Sequence, residues 1–175
     1  MEYKIDPSVS EIEFSIQHLI ISSVKGRFTS FNAGMENAYP LTGFREAHFW
    51  CDIEVGSIYT SLTVRDNHLR GPAFFDVASY PQIKFRSTSV EAYYEKYLLK
   101  GSLEIKGKQH EVELEGEYSS LGIDLLGKSK FCFELSGAIP KEALDIPFNI
   151  LGRNMKPLLI GEEVVLSISL RMVQE

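Results

Sequence analysis

Hydrophobic and polar residues alternate along much of this chain. Every second residue is apolar from Glu11 to Gln17, and the stretch from Glu46 to Val55 repeats the pattern. Because successive side chains of a β-strand point to opposite faces, this period of two predicts half-buried strands. Two more strands between Tyr97 and Tyr118 are predicted to meet at a turn at Gly107-Lys108. The other predicted strands are Gly26 to Glu36, Gln82 to Glu91, Lys130 to Ile139 and Glu163 to Met172.

Helical signals are few. Thr63 and Asp66 have the spacing of a capping box, which predicts one or two helical turns ending at Gly71-Pro72, and Asp76 could cap another short turn. Strands and helices do not alternate, which excludes a parallel sheet built from βαβ units. About eight antiparallel strands can form a sandwich or a barrel, and we favour the barrel because closure removes exposed strand edges.

The predicted fold is therefore all-β, an eight-stranded antiparallel barrel with short helical turns. Its 175 residues fit one domain spanning 1–175. A barrel of this size is either filled by its own side chains or holds one small ligand.

Composition narrows the choice of partners. The net charge is −6, and no sustained basic run is present, so we expect no nucleic-acid partner. No segment reaches the ~20 uncharged residues that would span a bilayer as a helix, so no integral membrane segment is expected. The start from Met1 to Pro7 lacks the apolar core of a signal peptide, which predicts a cytoplasmic protein. Cys51 and Cys132 are too few for a disulfide framework and are predicted to be free thiols.

The chemistry-bearing residues do not match a catalytic or metal-binding motif. The four histidines are far apart in the sequence, at His18, His48, His68 and His110. With no CxxC or GxSxG motif beside them, we predict no metal, no cofactor and no catalytic residue. The densest polar group is Arg65, Asp66 and His68, which either ties a helical turn to the barrel rim or contacts a ligand directly.

Two connections are unusually apolar. The passage from Leu19 to Lys25 follows the first predicted strand and is expected to line or close a cavity mouth. The segment from Pro140 to Gly161 is irregular and is expected to fold over one barrel end, covering the core or an apolar ligand. Its apolar members are Leu144, Ile146, Phe148, Ile150, Leu151, Leu158, Leu159 and Ile160.

Several motifs, in this order, resemble the YceI-like family, a lipocalin-like group described as polyisoprenoid-binding. They are Tyr3 to Pro7, Phe14 to Leu19, Val24 to Phe28, Ser57 to Thr88 and Leu99 to Gly107. The resemblance covers nearly the whole chain. It implies a lipocalin-like barrel with an elongated apolar channel for a long isoprenoid or fatty chain, often in a homodimer, and it brings no catalytic residues.

The functional hypothesis is non-enzymatic binding, sequestration or transport of one long-chain apolar lipid of polyisoprenoid, quinone or fatty-chain type. Burial at about 0.8 kcal/mol per CH₂ would drive this binding. His18, Arg65 and His68 are predicted to meet a polar head group. Candidate wall residues, chosen by strand parity, are Phe14, Ile16, Phe28, Phe74, Phe75, Phe85, Leu103, Phe131, Phe133 and Ile168.

The sequence leaves two alternatives to a lipid-binding function. One is a lipid-modifying enzyme, an isomerase or cyclase, that uses the same cavity with His68 or His18 as acid or base. The other is a filled barrel that acts as a protein-interaction module, with Trp50 and the Tyr93-Tyr94 pair as surface anchors.

Overall fold

The computed structural model describes residues 1–18, 22–94, 96–146 and 160–175. These residues form eleven β-strands and one α-helix, α1 (Thr63–Arg70). The strands are β1 (Tyr3–Ile5), β2 (Glu11–His18), β3 (Ser22–Phe28), β4 (Phe31–Glu36), β5 (His48–Glu54), β6 (Ile58–Tyr59), β7 (Gln82–Tyr93), β8 (Lys96–Ile105), β9 (Lys108–Ile123), β10 (Ser129–Pro140) and β11 (Ile160–Gln174).

Eight of these strands close into an antiparallel ring, which confirms the predicted barrel. The order around the ring is β1-β4-β5-β7-β8-β9-β10-β11, and pairing of β11 with β1 completes it. The closing ladder is short, with Tyr3 opposite Gln174 and Ile5 opposite Met172. Where β1 and β11 pair, the eight strands of the ring therefore have no free edge.

Strands β2, β3 and β6 extend the wall at the end of the barrel that carries helix α1. The long strand β11 pairs with β1 near its C-terminus and with β2 along Ile160 to Ser169. Strands β3 and β6 continue the sheet from β2. Helix α1 follows β6 directly, so it lies at this end of the barrel, which we call the helix end. The opposite end, where β4-β5, β7-β8 and β9-β10 turn, is the hairpin end.

The structure departs from the predicted elements in a few places. The stretch from Gly26 to Glu36, predicted as one strand, bends at Thr29 and Ser30, which separate β3 from β4. Strands β1 and β6 are absent from the predicted elements, because runs of three residues and two residues are too short for alternation to identify a strand. The turn between β8 and β9 lies at Lys106 and Gly107, one residue earlier than predicted, and both have positive φ, of 49° and 74°. This pair of positive φ angles matches the right-handed twist of a tight hairpin.

The helix lies in the predicted place but with a different cap. Leu62 occupies the N-cap position of α1, and its side chain makes no capping hydrogen bond. Asp66 instead binds Thr60, before the helix, so the capping box between Thr63 and Asp66 does not form. Among the described residues, no helix is long and apolar enough to cross a bilayer.

Candidate functional site

Aromatic side chains fill the hairpin end of the barrel. Phe44 lies at the centre of this group, with ring centroids 4.9 Å from Phe131 and 5.4 Å from Phe133. Most of the pairs meet edge to face, which is a favourable arrangement of aromatic quadrupoles. We call this group the aromatic plug, and it consists of Tyr3, Phe44, Phe49, Tyr97, Tyr118, Phe131 and Phe133.

The barrel beyond the plug is hollow. It encloses a cavity of about 190 Å³. Inward-facing residues of β2, β8 and β11 contribute much of the wall, in keeping with alternation along each strand. Within the described part of the chain, all lining residues other than Thr60 and Arg65 are aliphatic, aromatic or cysteine side chains. An apolar cavity of this kind excludes water and favours an apolar guest.

Two glycines make room for rings at the cavity wall. A Cβ atom on Gly26 would overlap the Phe14 ring, which lies across from it in the β2-β3 ladder. A Cβ atom on Gly101 would likewise overlap the Phe85 ring and come within 2.6 Å of the Arg86 carbonyl oxygen. The missing side chains therefore allow both phenyl rings to lie against the sheet, and this packing shapes the cavity wall.

The polar corner of the cavity is built around Thr60. Its backbone N–H and its hydroxyl both donate to Oδ1 of Asp66, at 2.9 and 2.5 Å. Arg65 donates from Nε to the Thr60 hydroxyl at 2.8 Å and from Nη2 to the Thr60 carbonyl at 2.7 Å. Thr60 and Asp66 are buried, whereas Arg65 is half-buried. Thr60 thus fixes the Arg65 guanidinium at the cavity wall.

Helix α1 and the chain after it cover this end of the barrel. Leu69 and Phe75 line the cavity, and the N–H of Phe75 donates to the Leu69 carbonyl at 3.0 Å. Arg70 anchors the helix by donating to the carbonyls of Gly56 and Ile58, both at 2.8 Å. This network holds the helix against the strands and therefore holds Arg65 in place.

The two apolar connections, one predicted to cover a barrel end and the other to line or close a cavity mouth, are described in part. Leu144 and Ile146 line the cavity, as expected for a segment that covers the core or a ligand. The other predicted covering residues at 148–159, and residues 19–21 of the first passage, lie outside the described residues, as does the side chain of Ile160. The rest of that passage, predicted as a connection up to Lys25, instead belongs to strand β3, which begins at Ser22, and Val24 on this strand lines the cavity.

Most of the predicted ligand-contacting residues lie on the cavity wall. Their place in the wall is a property of the fold, and their contact with a ligand stays a prediction. The residues placed there are Phe14, Ile16, Phe28, Arg65, Phe75, Phe85, Leu103 and Ile168.

The other predicted residues are placed elsewhere. Phe131 and Phe133 face inward as strand parity predicts, but they belong to the aromatic plug. Phe74 is buried but is not among the lining residues, and His68 is exposed on α1, away from the wall. Parity identifies the inner face of a strand and does not tell how far along the barrel a residue lies, so it could not separate plug from cavity. The side chain of His18 lies outside the described residues.

Sequence reasoning missed Thr60. A lone threonine between two short segments carries no local signal of burial, and its partners Arg65 and Asp66 come five and six residues later. The two charged residues stand out in the sequence, but the direction of each side chain depends on how α1 follows β6.

Cys51 is the ionisable thiol of the cavity wall. Burial raises its pKa to about 12, and the neighbouring Asp52 carboxylate contributes in the same direction. Burial also raises the pKa of Cys132, and so does its hydrogen bond with Glu134. Both thiols are free, as predicted, and at neutral pH both stay protonated.

The chain matches the YceI-like domain family over residues 3–172. It belongs to the YceI-like family. A UPF0312 protein of Photorhabdus laumondii is 34% identical over 139 residues, covering 78% of this chain and 71% of that protein. These findings confirm the resemblance inferred from the ordered motifs.

Solved structures share the same fold. The YceI protein of Campylobacter jejuni is 26% identical with a TM-score of 0.77, over 91% of this chain and 90% of that one. A polyisoprenoid-binding domain from Saccharophagus degradans has a TM-score of 0.71 at 15% identity, over 99% of this chain and 98% of that one. The second likeness shows the fold alone. For this YceI-like protein, the comparisons therefore establish the family and the barrel fold.

Proposed function

We propose that this YceI-like protein binds one long-chain apolar lipid in the hollow half of its barrel and sequesters or carries it without changing it chemically. The observation that carries the proposal is the cavity of about 190 Å³, whose described wall is apolar except for Thr60 and Arg65. The name of the Saccharophagus degradans domain, which refers to polyisoprenoid binding, points in the same direction.

The position of the polar corner gives the ligand a direction. Arg65 belongs to the first turn of α1, at the helix end, whereas the aromatic plug fills the hairpin end. A tail that enters the cavity therefore has its far end against the plug and its head near α1. This orientation keeps the head within reach of water and the tail out of it.

A chain-length series tests the proposal. We expect the dissociation constant of straight-chain alcohols to fall by up to about fourfold with each added methylene, until the cavity is full, because each buried CH₂ contributes about 0.8 kcal/mol. Displacement of the neutral fluorescent probe N-phenyl-1-naphthylamine measures this series. Native mass spectrometry and solvent extraction of freshly purified protein would identify a copurified lipid.

A matched pair of variants locates the binding site. Ile168 lines the cavity on β11, and Val165 is exposed on the outer face of the same strand. Ile168→Trp places an indole in the cavity and is expected to weaken binding at least tenfold, while Val165→Trp leaves it unchanged. Equal affinity in the two variants, or no chain-length dependence in the wild type, would contradict carriage in the cavity.

The structure weakens the enzyme alternative, which had proposed His68 as an acid or base. His68, a proposed acid or base, is exposed and is not among the cavity-lining residues. A general base must come within hydrogen-bond reach of the proton it removes. Unchanged recovery of a bound lipid after prolonged incubation, measured by mass spectrometry, is the expected result for a carrier.

The interaction-module alternative rests on the hairpin end. Tyr93 and Tyr94 are exposed there as predicted, whereas Trp50 is half-buried against Gly34 on the neighbouring strand. A homodimer remains a prediction of the family resemblance. Light scattering coupled to size-exclusion chromatography, with Tyr94→Ser as the variant, tests whether the hairpin end joins two copies.

A further inference from the structure

We infer that the lipid carried by this protein has an anionic head group, a carboxylate or a phosphate, and that Arg65 pairs with it. The inference rests on the proposed function and makes its ligand class more specific. It depends on three observations: the charge of the cavity wall, the donors that Arg65 has left, and the fixed position of its guanidinium.

The described part of the cavity wall carries one charge. Of the described lining residues, Arg65 is the only one that is ionised at neutral pH, since the Cys51 thiol stays protonated. No acidic side chain among the described residues lies within 4 Å of the guanidinium nitrogens in an ion pair. A charge beside an apolar cavity is costly unless an opposite charge and hydrogen bonds compensate it. A bound anion would supply that compensation.

The guanidinium has donors to spare. Arginine carries five N–H groups, and Thr60 accepts from Nε and from one N–H of Nη2. The other N–H groups, on Nη1 and Nη2, have no hydrogen-bond partner in the described part of the chain. Together they form the end of the guanidinium fork, which matches the two oxygens of a carboxylate or phosphate.

Thr60 and Asp66 set this fork in place. The Thr60 hydroxyl accepts from Arg65 and donates to Asp66, so the two charged residues are linked through one neutral hydroxyl. Asp66 also accepts the Thr60 backbone N–H. The buried carboxylate is therefore engaged by Thr60, and it orients Thr60 without occupying the remaining donors of Arg65. A pre-ordered donor loses little entropy when the head group binds.

Three amphiphiles with one tail test the inference. Hexadecanoate, hexadecyl phosphate and hexadecan-1-ol bury the same apolar chain and differ in the head. Displacement of N-phenyl-1-naphthylamine, a neutral probe, measures their dissociation constants for the wild type. We expect at least one of the anions to bind roughly tenfold or more tightly than the alcohol, as a charge-assisted hydrogen bond provides. The tighter of the two anions distinguishes a carboxylate from a phosphate ligand.

Variants of Arg65 distinguish an ion pair with the lipid head group from a purely structural role of this residue. Arg65→Gln is expected to remove most of the preference for the anion and to weaken hexadecan-1-ol binding much less than anion binding, because it removes the charge and keeps a polar side chain. Arg65→Lys retains the charge without the fork and is expected to keep part of the preference. The control is Arg27→Gln, which removes an exposed charge on β3 that stacks on Tyr59 at 5.3 Å. It should keep the full preference.

The outcomes are distinct. Equal wild-type affinity for all three amphiphiles would overturn the head-group inference and leave lipid carriage standing. An equal loss of affinity for the anions and the alcohol in Arg65→Gln would also overturn it, because Arg65 would then act only by holding the fold. Failure of every amphiphile to displace the probe from the wild type would instead overturn the proposed function. A preference that shrinks with added salt would support ion pairing.

Discussion

Gly116 illustrates how a single residue can be required by backbone packing. It lies in the inward row of β9, opposite Leu135 of β10, where Val112, Leu114 and Tyr118 have side chains. A Cβ atom there would overlap the Glu134 carbonyl oxygen. That oxygen belongs to the neighbouring strand and cannot move without disturbing the ladder, so the position accepts glycine alone.

We predict that Gly116→Ala lowers the free energy of unfolding by about 3 kcal/mol, the upper part of the range for overpacking, because the clash is with backbone. Urea unfolding followed by circular dichroism measures it. Gly56→Ala is the control, since a Cβ there would meet only Val77 Cγ1 at 3.4 Å, an ordinary contact. A loss at Gly116 no larger than at Gly56 would show that the strands can separate.

The raised thiol pKa of Cys51 gives a second prediction at the residue scale. The raised pKa of Cys51, about 12, means that the thiolate becomes populated in the folded protein only as the pH approaches 12, whereas an unfolded cysteine ionises near 8.5. Native protein at pH 8 is therefore expected to resist iodoacetamide, and alkylation should follow unfolding in urea. Rapid alkylation of Cys51 without denaturant, detected by peptide mass spectrometry, would contradict this.

At the scale of elements, α1 depends on side-chain anchors at both of its ends. Asp66 connects its first turn to Thr60, and Arg70 connects its last turn to the carbonyls of Gly56 and Ile58. An eight-residue helix has little stability of its own in water. Its position over the cavity therefore comes from these tertiary hydrogen bonds and from the burial of Leu69.

We predict that Asp66→Ala lowers the free energy of unfolding by roughly 1.5 to 3 kcal/mol, because it leaves the buried Thr60 N–H and hydroxyl without their acceptor. Asp66→Asn keeps an oxygen at the same position and should cost less. Hydrogen exchange of the Thr60 amide reports the change locally. Unaltered exchange in Asp66→Ala would mean that another acceptor replaces the carboxylate.

At the scale of the whole molecule, the interior is divided between stability and binding. The aromatic plug packs densely at the hairpin end, and Phe133 within it is fully buried. The helix end keeps a cavity that the side chains of the described residues do not fill. Dense packing raises the free energy of unfolding, and the unfilled cavity lowers it but leaves space for a ligand.

We predict that Phe133→Ala lowers the free energy of unfolding by about 3 to 5 kcal/mol, the usual cost of deleting a buried ring. Its effect on the affinity for hexadecan-1-ol should stay below about threefold, in contrast to the loss expected for Ile168→Trp at the cavity wall. Chemical denaturation and probe displacement on the same preparations give the two values. A large affinity loss in Phe133→Ala would mean that plug and cavity form one unit.

Much of the architecture could be predicted from local patterns. Alternation located the long strands because a period of two, sustained over seven or more residues, matches an extended strand and not a helix. It failed for β1 and β6, which are too short for alternation to identify them, and at Thr29, where a bend interrupts a run that stays compatible with a strand. The candidate site was predicted only as far as the inward face of each strand. Phe14 and Ile168 lie on the cavity wall, while Phe131 and Phe133, with equally correct parity, fill the plug.

The sequence by itself determined that the chain forms an antiparallel β-structure with one apolar face per strand, since that information is local and repeats every two residues. Its ordered motifs also determined the family. Only the tertiary structure decided where the barrel is solid and where it is hollow, and that Thr60 holds Arg65 at the cavity wall. These features depend on the depth at which side chains from distant strands meet, and depth along a barrel is set by strand stagger and closure.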